Sequence, residues 1–191
     1  PGSVRGLRRV GGKPAVQAQR SRSSTGRLRA WLVLGVILFG QLQSASAFGD
    51  KASLANALAE WCADPSAAEA AHGHISAWDV SAVTYMTTLM YNVPCRSTFD
   101  EDIDGWNVGQ VTNMHMMFWS ATAFNQPLEA WNVGQVTSMD RMFLRAYAFN
   151  QPLGAWNTGQ VTYMGYYEGM FQSARAFNQP LEAWNVGQVS H

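Results

Sequence analysis

The stretch Trp131-Asn-Val-Gly-Gln-Val-Thr-Ser-Met139 (WNVGQVTSM) decides the architecture, because the chain repeats it on both sides. WNVGQVTNM begins at Trp106, WNTGQVTYM at Trp156 and WNVGQVS at Trp184, each preceded by a version of FNQPLEA. Trp131 follows Trp106 by 25 residues, Trp156 follows by another 25, and Trp184 by 28. A fixed period in the twenties is the mark of a solenoid, in which no unit can bury its apolar face alone.

Working outward, the same apolar rhythm extends one unit upstream. Ile75, Trp78, Val80, Val83, Met86 and Leu89 keep the spacing of Leu128, Trp131, Val133, Val136, Met139 and Met142. Coils therefore start at Ile75, Ile103, Leu128, Leu153 and Leu181, the last one truncated. Insertions around Asn92–Ser97 and at Gly165–Gly169 lengthen two of the steps and belong in surface loops. Trp131 and Val133 alternate with Asn132, the period of a short strand with one buried face. The steps of three after them suit a return made of turns and short helix, and Pro152 makes the corner. Stacked strands lie about 4.8 Å apart, which would place Trp on Trp and Met on Met. These columns read as core, not as a cofactor box.

Residues 48–74 read as an N-terminal helical cap. Leu54, Leu58 and Trp61 share one helix face, Asp64-Pro65 reads as an N-cap followed by Pro at the first helical position, and Gly73 reads as a C-cap. Cys62 lies in this segment and Cys95 in the first repeat's insertion. In an oxidising compartment an even count favours a bridge stapling cap to repeats; two buried thiols are the alternative.

The formal net charge of zero hides two opposed halves. Residues 1–47 carry eight basic side chains and no acid, while the remainder carries five basic and 13 acidic ones. The acidic body excludes nucleic acid as an expected partner, since phosphate neutralisation needs clustered Lys and Arg. Within the leader, Arg27 and Arg29 precede the apolar run Trp31–Gly40, and small residues at Ala45 and Ala47 mark a cleavage site before Phe48. That composition is a secretory signal peptide, with a run shorter than the roughly 18 residues that span a bilayer. A retained signal anchor and a plastid-directed leader are the alternatives. No membrane span is expected in the mature part. The chain begins with Pro and ends inside a repeat, as a piece of a longer protein would.

The position between the buried Trp and Val is Asp79, Asn107, Asn132, Asn157 and Asn185. Stacked, it forms a polar column that either binds a ligand through its amides or hydrogen-bonds to itself as an in-register ladder. Tyr166 and Tyr167 in the longer insertion are candidate contact aromatics. Asp100-Glu-Asp-Ile-Asp-Gly105 opens like a calcium loop, but Val111 stands where the bidentate Glu belongs, and Ile103 must face the core. His72 and His74 lack partners at ligand spacing, and no catalytic constellation stands out. No metal or cofactor is expected.

The pattern LxxWxVxxVTxMxxMFxxAxxF resembles the BspA-like leucine-rich repeats, in the variant first noticed in mycoplasma surface lipoproteins and common in marine microalgae. The resemblance runs from Ile75 onward, with a divergent first coil and no C-terminal cap. It implies an α/β right-handed solenoid, secretion or surface display, and binding or adhesion through the repeats. The expected function is thus a non-enzymatic binding module for protein or glycan, secreted or on the cell surface. A structural wall or coat component, or the repeat part of a longer enzyme, is the alternative.

Overall fold

The computed structural model describes residues 45–165 and 168–190. The leader through position 44, with its apolar run, and the pair Tyr166 and Tyr167 lie outside these residues.

The cap is built from two helices. Helix α1, Lys51–Ala63, begins where Asp50 turns extended and its carboxylate accepts the Ser53 N–H at 2.8 Å. Leu54, Leu58 and Trp61 form its buried face. Asp64 ends α1 and caps helix α2, Pro65–His72, by accepting the Ala67 N–H at 3.1 Å. Pro65 occupies the first turn, where its missing N–H costs nothing. Gly73, at φ 75°, closes α2. Cys62 of α1 is disulfide-bonded to Cys95, 33 residues on, with Cα atoms 5.3 Å apart. Among the described residues no helix is long and apolar enough to cross a membrane.

The folded body starts earlier than the sequence boundary at Phe48. Ser46 N donates to His72 O at 2.9 Å, Asp79 N donates to Ser46 O at 3.0 Å, and Phe48 N donates to Asp79 O at 2.8 Å. Ala47 thereby forms a parallel bridge with Asp79. The reason is local: extended backbone around Ala47 supplies the partners that the peptide groups flanking Asp79 need.

In the third repeat Leu128, Trp131, Val133, Val136, Met139, Met142, Phe143, Ala146 and Phe149 are all at most 2% exposed. Equivalent rings of successive repeats lie face to face. Phe143 sits 5.3 Å from Phe118 and 5.5 Å from Phe171, and Phe149 sits 6.0 Å from both Phe124 and Phe177, every pair within 6° of parallel. The indole N–H groups find partners one repeat upstream. Trp106 donates to Ile75 O, Trp131 to Ile103 O, Trp156 to Leu128 O and Trp184 to Leu153 O, at 2.8–3.0 Å. Each is a buried bond made where water cannot substitute.

Two expectations need correction. The backbone pairing is not at Trp131–Val133: single-residue parallel bridges link Tyr85, Asn113, Ser138 and Tyr163, further along the motif. Trp131 and Val136 instead close local turns onto Leu128 O and Val133 O. The return is not helical beyond one short 3-10 turn at Met90–Asn92, among the described residues. Its N–H groups alternate: Met114, Met116, Phe118 and Ser120 donate to the next repeat, while Met117, Trp119 and Ala121 donate within their own. That alternation requires left-handed residues, which are Thr88, Met116 and Arg141 at one position and Ser120, Arg145 and Ser173 four residues on, with φ of 55–61°. Repeated helical φ would turn every N–H along the chain, leaving none for the neighbour.

Two stability experiments test this frame. Trp131→Phe keeps an apolar ring but removes one of the two bonds to Ile103 O, which retains the Trp106 N–H. It should cost about 0.5–1.5 kcal/mol in urea unfolding, against about 3–5 kcal/mol for Trp131→Ala. Replacing Cys62 and Cys95 together by Ser should lower stability by about 3–4 kcal/mol, and a reductant should do the same to the unmodified chain.

Candidate functional site

The five side chains of the polar column, Asp79, Asn107, Asn132, Asn157 and Asn185, are all exposed. Their geometry is set locally. The Oδ1 of Asn107, Asn132, Asn157 and Asn185 accepts the N–H of Gly109, Gly134, Gly159 and Gly187, two residues on, at 3.1–3.2 Å. Asp79 treats Ser81 the same way at 2.9 Å. These are Asx turns, in which a short side chain imitates the next peptide carbonyl. Adjacent amides therefore form no ladder with each other among the described residues. They still overlap: Asn132 Nδ2 stands 3.6 Å from where a Gly109 Cβ would be, and Asn157 Nδ2 stands 3.5 Å from that place on Gly134. The tighter neighbour at each glycine is the Oδ1 of its own Asn, 3.2–3.3 Å from that place, so the Asx turn itself crowds any added side chain. With the oxygens engaged, the amide nitrogens are the part of the column left for a ligand.

A true amide ladder lies elsewhere, at the FNQP corner. Asn125 N donates to Asp100 Oδ1, Asn150 N to Asn125 Oδ1 and Asn178 N to Asn150 Oδ1, at 2.8–2.9 Å. Gln151 and Gln179 reinforce it by donating Nε2 to the same asparagines' oxygens. The sequence pattern suggested a turn here and gave no hint that the side chain crosses to the next repeat.

The acidic segment is absorbed by the same bonding. Besides the Asp100 contact, Asp102 accepts the Asp104 N–H and Asp104 accepts the Ala130 N–H. Ile103 is fully buried. Among the described residues no group of three or more His, Cys, Asp and Glu could hold a metal ion. His72 joins cap elements, with Nε2 2.7 Å from Glu60 Oε2 and Nδ1 3.1 Å from Ser46 Oγ, while His74 contacts Ser76. Tyr166 and Tyr167 lie outside the described residues.

The bridge-bearing positions add a second surface. Tyr85 and Tyr163 are 60% and 49% exposed at the two ends of a line that runs through half-buried Asn113 and buried Ser138, so only its ends are open. His115 Nδ1 approaches Asp140 Oδ2 at 3.2 Å beside it, joining the second and third repeats. The sequence signal for this surface was available: within the constant VTxM frame, x varies as Tyr, Asn, Ser and Tyr. A position free to vary in an otherwise fixed motif is one that the core does not constrain.

The column has one pH-sensitive member. Bonds from the Ser81 hydroxyl and then the Ser81 N–H hold the Asp79 carboxyl below its ordinary value of 3.8. A depressed folded-state value means the contribution is complete above that ordinary value and fades as pH falls through the lower folded one. Asp79→Asn preserves the acceptor found in the other four repeats. It should therefore flatten the acid end of the stability profile below about pH 4 while leaving neutral stability unchanged, as read from unfolding midpoints between pH 2 and 7.

These features define a tandem-repeat chain whose units pair in parallel and present side chains on a regular pitch. A family model described as "Mycoplasma protein of unknown function, DUF285" matches residues 93–191, just over half of the chain. The chain belongs to that family. Comparisons with curated proteins and with solved structures gave no match.

Proposed function

We propose that the protein is a secreted or cell-surface member of this family whose repeats form a BspA-like, right-handed leucine-rich-repeat solenoid of the α/β class. Its role is that of a binding or adhesion module for protein or glycan, without catalysis or cofactor. The carrying observation is the polar column, where carboxamide oxygens are tied to their own chain and amide donors recur in the four repeats from Asn107 onward. Donors at a pitch of about 4.8 Å suit an extended ligand rich in oxygen acceptors, such as a glycan or a peptide backbone. The surplus of acids over bases in residues 48–191 supports such a partner over nucleic acid. Signal-peptide composition supports export.

A structural role in a wall or coat is the second reading. The density of repeat-to-repeat bonds favours it, because a stack that consumes its polar groups internally needs no ligand. Asn132→Asp separates the two. It keeps the acceptor that holds Gly134 but replaces the donor by a carboxylate. Stability should change by less than about 0.5 kcal/mol, as for a surface substitution. Capture of surface glycans and proteins on an array should weaken by about tenfold, the size of one or two lost hydrogen bonds. Unchanged capture would remove the column as the binding surface, and an array that captures nothing would leave the structural reading.

A further inference from the structure

The segment 45–48 ties the cap to the first repeat. Asp79 N donates to Ser46 O at 3.0 Å and Phe48 N donates to Asp79 O at 2.8 Å, which makes the parallel bridge at Ala47. Ser46 N donates to His72 O at 2.9 Å, and Ser46 Oγ lies 3.1 Å from His72 Nδ1. The buried Phe48 ring has its centroid 5.1 Å from that of Trp78 and 6.0 Å from that of His72. Ala45 runs close against Gly73: a Cβ on that glycine would stand 3.2 Å from the Ala45 Cα.

The same residues carry the Ala-x-Ala pattern that suits an export peptidase. A cut after Ala47 would remove the acceptor of the Asp79 N–H and both Ser46 groups that meet His72. It would also turn the Phe48 amide into an ammonium. Fold and cut therefore compete for one stretch of chain, since these backbone groups keep their partners only if the segment stays. From these contacts we infer that residues 45–47 remain in the mature protein and that the peptidase hydrolyses a bond on the N-terminal side of Ala45. The inference rests on the export reading. Hydrolysis consumes one water, gives the leader a new carboxylate and gives the body a new amine. With the cut before Ala45, that amine precedes the Ser46 amide, which still donates to His72 O as a neutral N–H. Smallness at position 45 then has a packing cause, the close pass over Gly73.

The full chain is produced in cells with a working export pathway, and the exported protein is read by N-terminal sequencing and intact mass. The expected first residue is Ala45 or one shortly before it. Ala47→Leu alters an exposed side chain and spoils the last small residue of the pattern, yet should leave export and the first residue unchanged. Ser46→Pro removes the N–H and the hydroxyl that meet His72, and should lower the unfolding midpoint of the exported protein by about 3–5 °C. An exported chain that begins at Ser46 or any later residue, or one that keeps its whole leader, would overturn the inference. So would a processing block by Ala47→Leu, or an unchanged midpoint for Ser46→Pro. Fractionation reads separately whether the chain leaves the cell. A chain that stays inside overturns the export reading and this inference together, whereas an exported chain beginning at Phe48 overturns this inference alone.

Discussion

The indole N–H bond to a carbonyl one repeat upstream is the constraint on which the rest depends. An apolar core alone would let neighbouring repeats slide, because hydrophobic burial has no direction. A buried donor that has no other partner removes that freedom. A slip of one residue would leave the indole N–H unsatisfied, at about 1–3 kcal/mol, while the ring stays buried. The acceptor carbonyl would keep only the bond from the Trp backbone N–H of its own repeat. The bond recurs from Trp106 to Trp184 at the same depth, so the same penalty guards each junction. Trp serves here where Phe would not, since only an indole combines a large apolar area with a donor at its edge.

Given that register, the two asparagine positions divide the work. The corner residues Asn125 and Asn150 accept from the following repeat and knit the return side. The column residues Asn107 and Asn132 accept from their own glycines and shape the turn that leads out of the Trp segment. Residue type is therefore no guide to role. What separates them is the direction of the nearest unsatisfied N–H, upstream across a junction in one case and two residues ahead in the other. The column amides are exposed where Asn125 and Asn150 are half-buried, and for that reason the functional reading rests there.

The burial pattern was legible because large apolar residues at fixed offsets have few places to go. Ile75, Trp78 and Val80, in the most divergent repeat, are as buried as Leu128, Trp131 and Val133. Helix α2 was legible at both ends through Asp64, Pro65 and Gly73. Backbone pairing was not. Alternation around Asn132 imitates a strand, yet a turn produces the same in-out order, and parallel bonds at Ser138 leave no side-chain signature beyond a variable residue. The left-handed positions were invisible because Met116, Arg141 and Arg145 occupy them, where a reader looks for Gly or Asn. Neighbouring repeats hold Met116 and Arg145 in place through the alternate N–H bonds, so tertiary context overrides their local preference. The contacts of residues 46–48 were not legible either: nothing in these residues announces the peptide groups of His72 and Asp79 as partners.

The first repeat shows how a periodic interface can be finished. At the first repeat, the acceptor that Ile75 or Leu128 would supply from an upstream coil is replaced by Gly73 O, the last carbonyl region of α2. The replacement works only if α2 stops there with its chain turned aside. A side chain at Gly73 would meet both a positive φ and the Ala45 Cα at 3.2 Å. One glycine thus ends the helix, admits the incoming strand and frees the carbonyl for Trp78, while the Cys62–Cys95 bond holds α1 against the first insertion.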